Sequence, residues 1–176
     1  MNSKIKRGER SPDEPLPRLG LYVRSLSPHG CRGHHSSILD RLERFVDEKI
    51  IEGYSVDIWG EQLIESDARR TEVGREMCER LDQFRDWAND RESTELCFGR
   101  ESVYSDLADE TCVRTVFPMM ILAEYVEERL QFVSPCIEAG GVVRVTDRLD
   151  VLEQSSKVST VSTDTARSKT VRKNHE

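Results

Sequence analysis

The chain has 176 residues, a length that suits one domain with terminal tails. Hydrophobic residues make up 36% of the sequence and charged residues 34%, which predicts a core under a heavily charged surface. No apolar stretch approaches the roughly 20 residues of a membrane-spanning helix, and the N-terminus lacks the apolar segment of a signal peptide. These features argue against a helical membrane protein and predict a cytoplasmic one.

Charge is divided unevenly between the ends and the middle of the chain. Residues 1–18 carry a net charge of +2, residues 156–176 carry +3, and residues 19–155 carry −12. Lys49 is the only lysine of this middle part. Because salt at about 1 M screens charges within about 3 Å, an acidic surface with few lysines is typical of a cytoplasm with molar salt. The alternative explanation is a GC-rich genome that favours arginine codons.

The five cysteines lie far apart in the sequence. Their number is odd, and no two of them form a C-x-x-C motif, so neither a disulfide framework nor a zinc ribbon is indicated. The sequence therefore predicts reduced thiols at Cys31, Cys78, Cys97, Cys112 and Cys136.

A strand, a helix and a second strand form the clearest pattern, within residues 19–60. The strands are the apolar run 19–23 and the alternating segment 54–59. Between them, apolar residues recur at the spacing of one helix face over residues 36–50. These apolar residues are Ile38, Leu42, Phe45, Val46 and Ile50.

Two local signals predict the ends of this first helix. Ser37 and Asp40 fit an N-terminal capping box, in which the hydroxyl accepts a backbone N–H and the carboxylate reaches back to the cap. Gly53 is expected to take the left-handed conformation that commonly ends a helix.

A second helix is predicted over residues 71–89, after a polar connection at 62–70. Thr71 is the expected N-cap, since its hydroxyl can accept a backbone N–H of the first turn. The apolar stripe of this helix consists of Val73, Met77, Leu81, Phe84 and Ala88.

The second half of the chain reads mainly as strands. Residues 96–104 and 113–125 form two of them, with Pro118 at an edge, a bulge or a break because proline lacks an amide donor. Residues 130–134 and 142–145 are expected to follow turns as partner strands. A short last helix is expected to begin at Thr146-Asp147.

This order of elements predicts the α+β class. It reads β-α-β-α, followed by antiparallel strands and a short C-terminal helix, and it suits a two-layer sandwich with helices on one face of the sheet. Residues 1–18 are interpreted as a flexible lead-in, residues 19–155 as a single domain, and residues 156–176 as a disordered basic tail.

The loop before the first helix holds the candidate metal ligands His29, Cys31, His34 and His35. Imidazole and thiolate groups at this density can bind zinc. No second Cys/His pair follows at finger spacing, so a polar loop facing solvent is the alternative. The sequence contains neither G-x-S-x-G nor a Walker or dinucleotide fingerprint, so no catalytic residue and no cofactor are predicted.

The first helix, followed by Gly53 and a strand, also resembles a DNA recognition helix with its wing. Arg41 and Arg44 are then the side chains best placed to contact phosphates or guanine edges. The acidic side chains of this segment outnumber its basic ones; they are Asp40, Glu43, Asp47, Glu48 and Glu52. Carboxylates repel the DNA backbone, so we expect no sequence-specific duplex binding by residues 18–155.

Six segments within residues 19–153 carry a family resemblance. They are LYVRSLSP, LDRLERF, VDIWG, FGRESVYS, VFPMMILAEY and TDRLDVLE. Together they resemble a family of small proteins of halophilic archaea that are labelled helix-turn-helix domain proteins. The resemblance implies a haloarchaeal cytoplasm and a regulatory role, and it supplies no catalytic residues or ligand set.

The sequence thus favours a non-enzymatic binding or regulatory protein. Its partner is expected to be an unidentified protein or ligand, and no membrane partner is expected. The alternative is a helix-turn-helix DNA-binding transcriptional regulator, which the charge of the first helix disfavours.

Overall fold

The computed structural model describes residues 15–25, 32–105 and 109–167. The helices in this part of the chain are α1 (Arg32–Asp47), α2 (Glu65–Ala68), α3 (Glu72–Asn89) and α4 (Val145–Arg167). The strands are β1 (Arg18–Val23), β2 (Gly53–Ile58), β3 (Gln62–Ile64), β4 (Glu95–Leu96), β5 (Gly99–Ser105), β6 (Glu110–Val116), β7 (Met120–Val126), β8 (Arg129–Ser134), β9 (Cys136–Glu138) and β10 (Gly141–Val143). This mixture of helices and mainly antiparallel strands confirms the predicted α+β class.

A four-stranded sheet in the order β2-β1-β7-β8 forms the centre of the fold. Strands β1 and β2 run parallel, with Tyr22 opposite Asp57, and α1 connects them. The predicted strand–helix–strand unit is therefore confirmed. Strands β1, β7 and β8 pair antiparallel. The other strands form two smaller antiparallel sheets, in the orders β3-β6-β5 and β10-β9-β4.

Helices lie on both faces of the four-stranded sheet. On one face, Leu19 and Leu21 of β1 belong to a buried cluster with side chains of α1 and α4. On the other face, Tyr22 belongs to a second cluster with Leu81 and Phe84 of α3. The structure thus adds a third layer to the predicted two-layer sandwich, because β1 is buried on both of its faces.

The ends of α1 differ from the predicted ones. The helix begins at Arg32, so Ser37 lies inside it and does not form the N-terminal capping box. Gly53 belongs to β2, and Lys49 instead takes the left-handed conformation, with φ of 54°. The amide of Ile50 donates to the carbonyl of Phe45 at 2.8 Å, which is the 6→1 hydrogen bond of a Schellman motif. Phe45 and Ile50 are both buried in the same hydrophobic cluster, as is common for the residues at these two positions of the motif.

Helix α3 has the predicted start and a slightly different buried face. Thr71 is its N-cap, since the hydroxyl accepts the amide of Gly74 at 3.0 Å. Val73, which the periodicity assigns to the core, is 67% exposed in the first turn. Trp87 is buried and donates its ring N–H to the carbonyl of Gln131 at 2.9 Å, which fixes the end of α3 to β8.

The C-terminal half consists of strands as predicted, but the predicted strands 96–104 and 113–125 are each divided into two, and β9 has no predicted counterpart. Pro118 lies between β6 and β7, where the chain passes from the small sheet β3-β6-β5 to the four-stranded sheet, so it is at a break. Asp147 accepts the amide of Arg144 at 2.9 Å and stabilises the start of α4. The backbone of α4 is helical to Arg167, past the predicted boundary at residue 155. Among the described helices, none is long and apolar enough to span a bilayer.

Candidate nucleic-acid interface

Helix α1 is the crossover connection between two parallel strands. Ile38, Leu42 and Phe45 are buried against the sheet, so this face of the helix cannot contact a ligand. Among the residues that point to solvent are Asp40 and Glu43, whose carboxylates would repel a phosphate backbone.

Arg41 and Arg44, the two candidate DNA-binding residues, contact α4. Arg41 donates to the carboxylate of Asp150 at 2.5 Å and to that of Glu153 at 2.9 Å. Arg44 lies 3.3 Å from the same Glu153 carboxylate. The guanidinium carbon of Arg41 is also 5.4 Å from the ring centre of Phe45. Both arginines therefore help to fix α4 against α1; Arg41 is mostly buried in these contacts, whereas the side chain of Arg44 is 47% exposed.

The candidate metal ligands are only partly covered by the described residues. His34 and His35 belong to the first turn of α1, whereas His29 and Cys31 lie outside the described residues. Among the side chains that are described, no group of three or more His, Cys, Asp or Glu residues is arranged around a metal position.

The described cysteines form no disulfide, in agreement with the predicted reduced thiols. Burial, followed by the nearby charge of Glu138, raises the pKa of Cys136 to about 11. This thiol is therefore protonated and unreactive at neutral pH.

A helix–turn–helix arrangement occurs at α2 and α3, where the sequence predicts only a polar connection and one helix. The turn between them consists of residues 69–71. The hydroxyl of Thr71 donates to the carbonyl of Ala68 at 3.2 Å and accepts the amide of Gly74 at 3.0 Å. A Cβ atom on Gly74 would lie 2.0 Å from the carbonyl oxygen of Ala68, so only glycine fits where α2 meets α3.

An ion pair joins the two helices of this unit, and hydrogen bonds fix the unit to the small sheet that contains β6. Arg85 of α3 donates to the carboxylate of Glu65 of α2 at 2.5 Å. The buried Thr115 of β6 donates to the same oxygen at 3.1 Å. Burial acts to raise the pKa of Glu65, but the hydrogen bond and charge of Arg85 outweigh it, so this pKa lies below its ordinary value. The carboxylate is therefore stabilised in its ionised form.

The solvent-facing side of α3 is acidic. It presents a stripe of residues at helical spacing, namely Glu72, Glu76, Glu79, Gln83 and Asp86. Exposed basic groups flank this stripe at Arg69 and Arg70 in the turn, at Arg75 in the first turn and at Arg91 after the last one. Arg69 is paired with Asp82 at 3.0 Å. Arg70 is 3.8 Å from Asp67, which partly neutralises it. The unit thus has the connectivity of a helix-turn-helix without a basic reading surface.

Sequence reasoning missed α2 because a single helical turn has no measurable periodicity. Gly74 was the available signal, since glycine inside a helix costs stability and commonly marks a close backbone contact.

The chain matches a known protein family. The profile of a family described as "Helix-turn-helix domain" matches residues 12–157, which is most of the chain. No curated protein and no solved structure matches the sequence. The match covers α1, α2 and α3 and the first half of α4, and it extends over most of the chain. The chain therefore belongs to this helix-turn-helix domain family.

Proposed function

We propose that this chain is a regulatory protein that acts by binding a protein partner rather than by catalysis. Membership of a helix-turn-helix domain family supports a regulatory role. A protein partner is proposed instead of DNA because of the charge of the exposed helix faces. The solvent-facing sides of α1 and α3 are both acidic, and the two central arginines of α1 are bound to α4.

Electrostatics explains why these faces favour a protein over a duplex. Most of the affinity of proteins for DNA comes from Lys and Arg side chains that contact phosphates. An exposed row of carboxylates such as Glu72, Glu76 and Glu79 repels phosphates and attracts basic groups. A partner with a basic surface therefore fits α3 better than a DNA groove does.

A DNA-binding transcriptional regulator is the second candidate function. The family match favours it, and so does the connection of α2 to α3 through the turn at residues 69–71. In helix-turn-helix proteins, the N-terminal residues of the second helix contact base edges. Arg70, Val73 and Arg75 are exposed at this position and are the residues that would make such contacts.

A crosslinking pull-down with the full chain from its native host distinguishes the two functions. The doubly charge-reversed variant Glu76→Lys/Glu79→Lys should lose the protein partner, because both carboxylates are exposed on α3. The variant Arg70→Ala/Arg75→Ala is the matched control on the same unit and should retain the partner. The transcription regulator would be favoured instead if the native chain recovers a DNA sequence that Arg70→Ala/Arg75→Ala does not recover, and if no recovered protein depends on the acidic stripe.

We also propose that the protein functions in the cytoplasm of a cell with molar salt. Support comes from the excess of acidic over basic residues, with Lys49 the only lysine of residues 19–155. Arginine provides nearly all cationic partners in the described ion pairs, for example Arg85 with Glu65 and Arg148 with Glu124. Screening at high salt reduces the repulsion that such a surface otherwise experiences.

A further inference from the structure

Most of the partly buried arginines in the described part of the chain meet a carboxylate. The pairs are Arg24 with Glu61, Arg41 with Asp150 and Glu153, Arg85 with Glu65, Arg114 with Glu101, and Arg148 with Glu124. Arg80 of α3 is also partly buried, yet no described carboxylate lies within 4.0 Å of it. Its hydrogen bonds go to the neutral oxygens of Tyr125 and Gln83, both at 3.2 Å.

This exception matters because a partly buried charge is costly without a compensating partner. Asp57 acts on Arg80 through its charge, but the two side chains form no ion pair. Both hydrogen bonds of Arg80 come from Nη1. Its other nitrogens, Nε and Nη2, donate to no described residue. Arg80 therefore retains both charge and donors for an additional acceptor.

Two tyrosine hydroxyls lie beside Arg80 and supply a further donor. The hydroxyls of Tyr22 and Tyr125 are 3.3 Å apart, and the ring centre of Tyr125 is 5.4 Å from the guanidinium carbon of Arg80. Their mutual hydrogen bond uses one of the two hydroxyl protons, which leaves the other for a third group. Burial, and then the bond to Tyr125, raise the pKa of Tyr22 above its ordinary value, so this hydroxyl keeps its proton.

The backbone of β1 leaves room for the ring of Tyr22 over Gly20. A Cβ atom on Gly20 would lie 2.9 Å from the hydroxyl of Tyr22, so glycine is needed for this ring position. On the neighbouring edge strand β2, Ser55 and Asp57 are opposite Gly20 and Tyr22 in register, and both remain at least partly exposed. Ser55 and Asp57 therefore border Tyr22 on the edge strand, and the site is reached from solvent at Arg80, whose Nε and Nη2 are not among the buried nitrogens of the described residues that lack a partner.

We infer that Arg80, Tyr22 and Tyr125 form a binding site for a small ligand that carries a carboxylate. A guanidinium beside a hydroxyl donor matches the oxygens of such a group. Asp57, opposite Tyr22 on the exposed edge, disfavours a multiply charged anion such as phosphate and favours a ligand whose other end is neutral or cationic. This inference is independent of the proposed function, because it concerns the body of the fold and not the exposed stripe of α3.

The test is a titration of the full chain with sodium acetate, followed by NMR of the arginine side-chain and tyrosine ring signals at constant ionic strength. We expect saturable shifts of the Arg80 and Tyr125 signals in the native protein. Arg80→Gln should weaken acetate binding by at least about tenfold, since it removes a charge-assisted hydrogen bond. Tyr125→Phe keeps the ring packing and should also weaken binding, so it serves as a second variant if Arg80→Gln does not fold.

Arg91→Gln is the matched control on the same helix. Arg91 also lies over an aromatic ring, with its guanidinium carbon 4.5 Å from the ring centre of Trp87, but it is exposed and donates to backbone carbonyls. This variant should bind acetate as the native protein does. Parallel titrations with glycine and inorganic phosphate test the ligand class, and we expect shifts with glycine and weaker ones with phosphate. The inference would be overturned if phosphate binds more tightly than acetate, or if acetate causes equal Tyr125 shifts in the native protein and in Arg80→Gln.

Discussion

At the scale of single residues, the backbone at two positions decides where helices begin and end. Gly74 permits α2 and α3 to approach each other closely, and Lys49 ends α1 in a left-handed conformation. Sequence reasoning assigns the end of α1 to Gly53, because a non-glycine residue with positive φ is uncommon and leaves no mark in the sequence. The apolar spacing of the helix, in contrast, correctly predicts Leu42 and Phe45 in the core.

Gly74→Ala should reduce the free energy of unfolding by about 1–3 kcal/mol, the usual cost of forcing extra atoms into a packed contact. The added Cβ atom would meet the carbonyl oxygen of Ala68, a backbone atom that cannot rotate away. Gly53→Ala is the control, since no heavy atom lies within 4 Å of its added Cβ. Denaturant unfolding of the variants measures both effects. Equal stability of the two variants would contradict the close contact between α2 and α3.

At the scale of secondary-structure elements, ion pairs join segments that are distant in the sequence. Glu65 and Arg85 connect α2 to α3, while Arg41 and Asp150 connect α1 to α4. The sequence predicts the helices but not these pairs, because residue spacing along one helix says nothing about which face of another helix it meets. For the same reason, the sequence presents Arg41 as a DNA-binding candidate, although the fold uses it internally.

The Glu65–Arg85 pair predicts a specific dependence of stability on pH. The pKa of Glu65 in the folded state lies below the ordinary value of 4.5. The stabilisation is therefore present above pH 4.5 and is lost as pH falls through the folded-state pKa. Glu65→Gln should therefore lower the free energy of unfolding by about 1–3 kcal/mol at neutral pH. The difference from the native protein should shrink in acid, as followed by unfolding at a series of pH values.

Glu61→Gln is the matched control for this pH series. Glu61 also pairs with an arginine, Arg24, but its side chain is 73% exposed, and exposed pairs contribute little. We expect this variant to follow the native protein at every pH. A constant difference between Glu65→Gln and the native protein down to strong acid would show that the ionised carboxylate is not the source of the stability.

At the scale of the whole molecule, the four-stranded sheet separates two hydrophobic cores. Phe45 and Leu81 are fully buried, the first in the cluster with α1 and α4 and the second in the cluster with α3. The α+β class follows from the order of elements in the sequence. The third layer does not, because the apolar run of β1 is equally compatible with burial on one face or on two.

Phe45→Ala and Leu81→Ala should each cost about 2–5 kcal/mol through lost transfer energy and a cavity. Because they lie on opposite faces of the sheet, the double variant should show additive losses within about 0.5 kcal/mol. Val73→Ala is the control and should change stability by less than about 0.5 kcal/mol, since this side chain is mostly exposed. Strong non-additivity in chemical unfolding would contradict the separation into two cores.

The acidic surface predicts that the whole molecule is more stable at high salt. Residues 19–155 carry a net charge of −12, so their mutual repulsion should fall as salt screens it. Thermal unfolding at about 0.1 M and about 2 M KCl measures the effect, and we expect a higher melting temperature at the higher concentration. Equal melting temperatures would contradict adaptation to molar salt.

We propose that this helix-turn-helix family member binds a protein through its acidic faces and does not read DNA sequence. Selection from a pool of random duplexes, with the full chain and several salt concentrations, tests it most directly. We predict that no sequence motif is enriched, and that Arg41→Ala/Arg44→Ala changes stability but not duplex retention. A reproducibly enriched motif that is lost in Arg70→Ala/Arg75→Ala would contradict the claim and establish α3 as a DNA-reading helix.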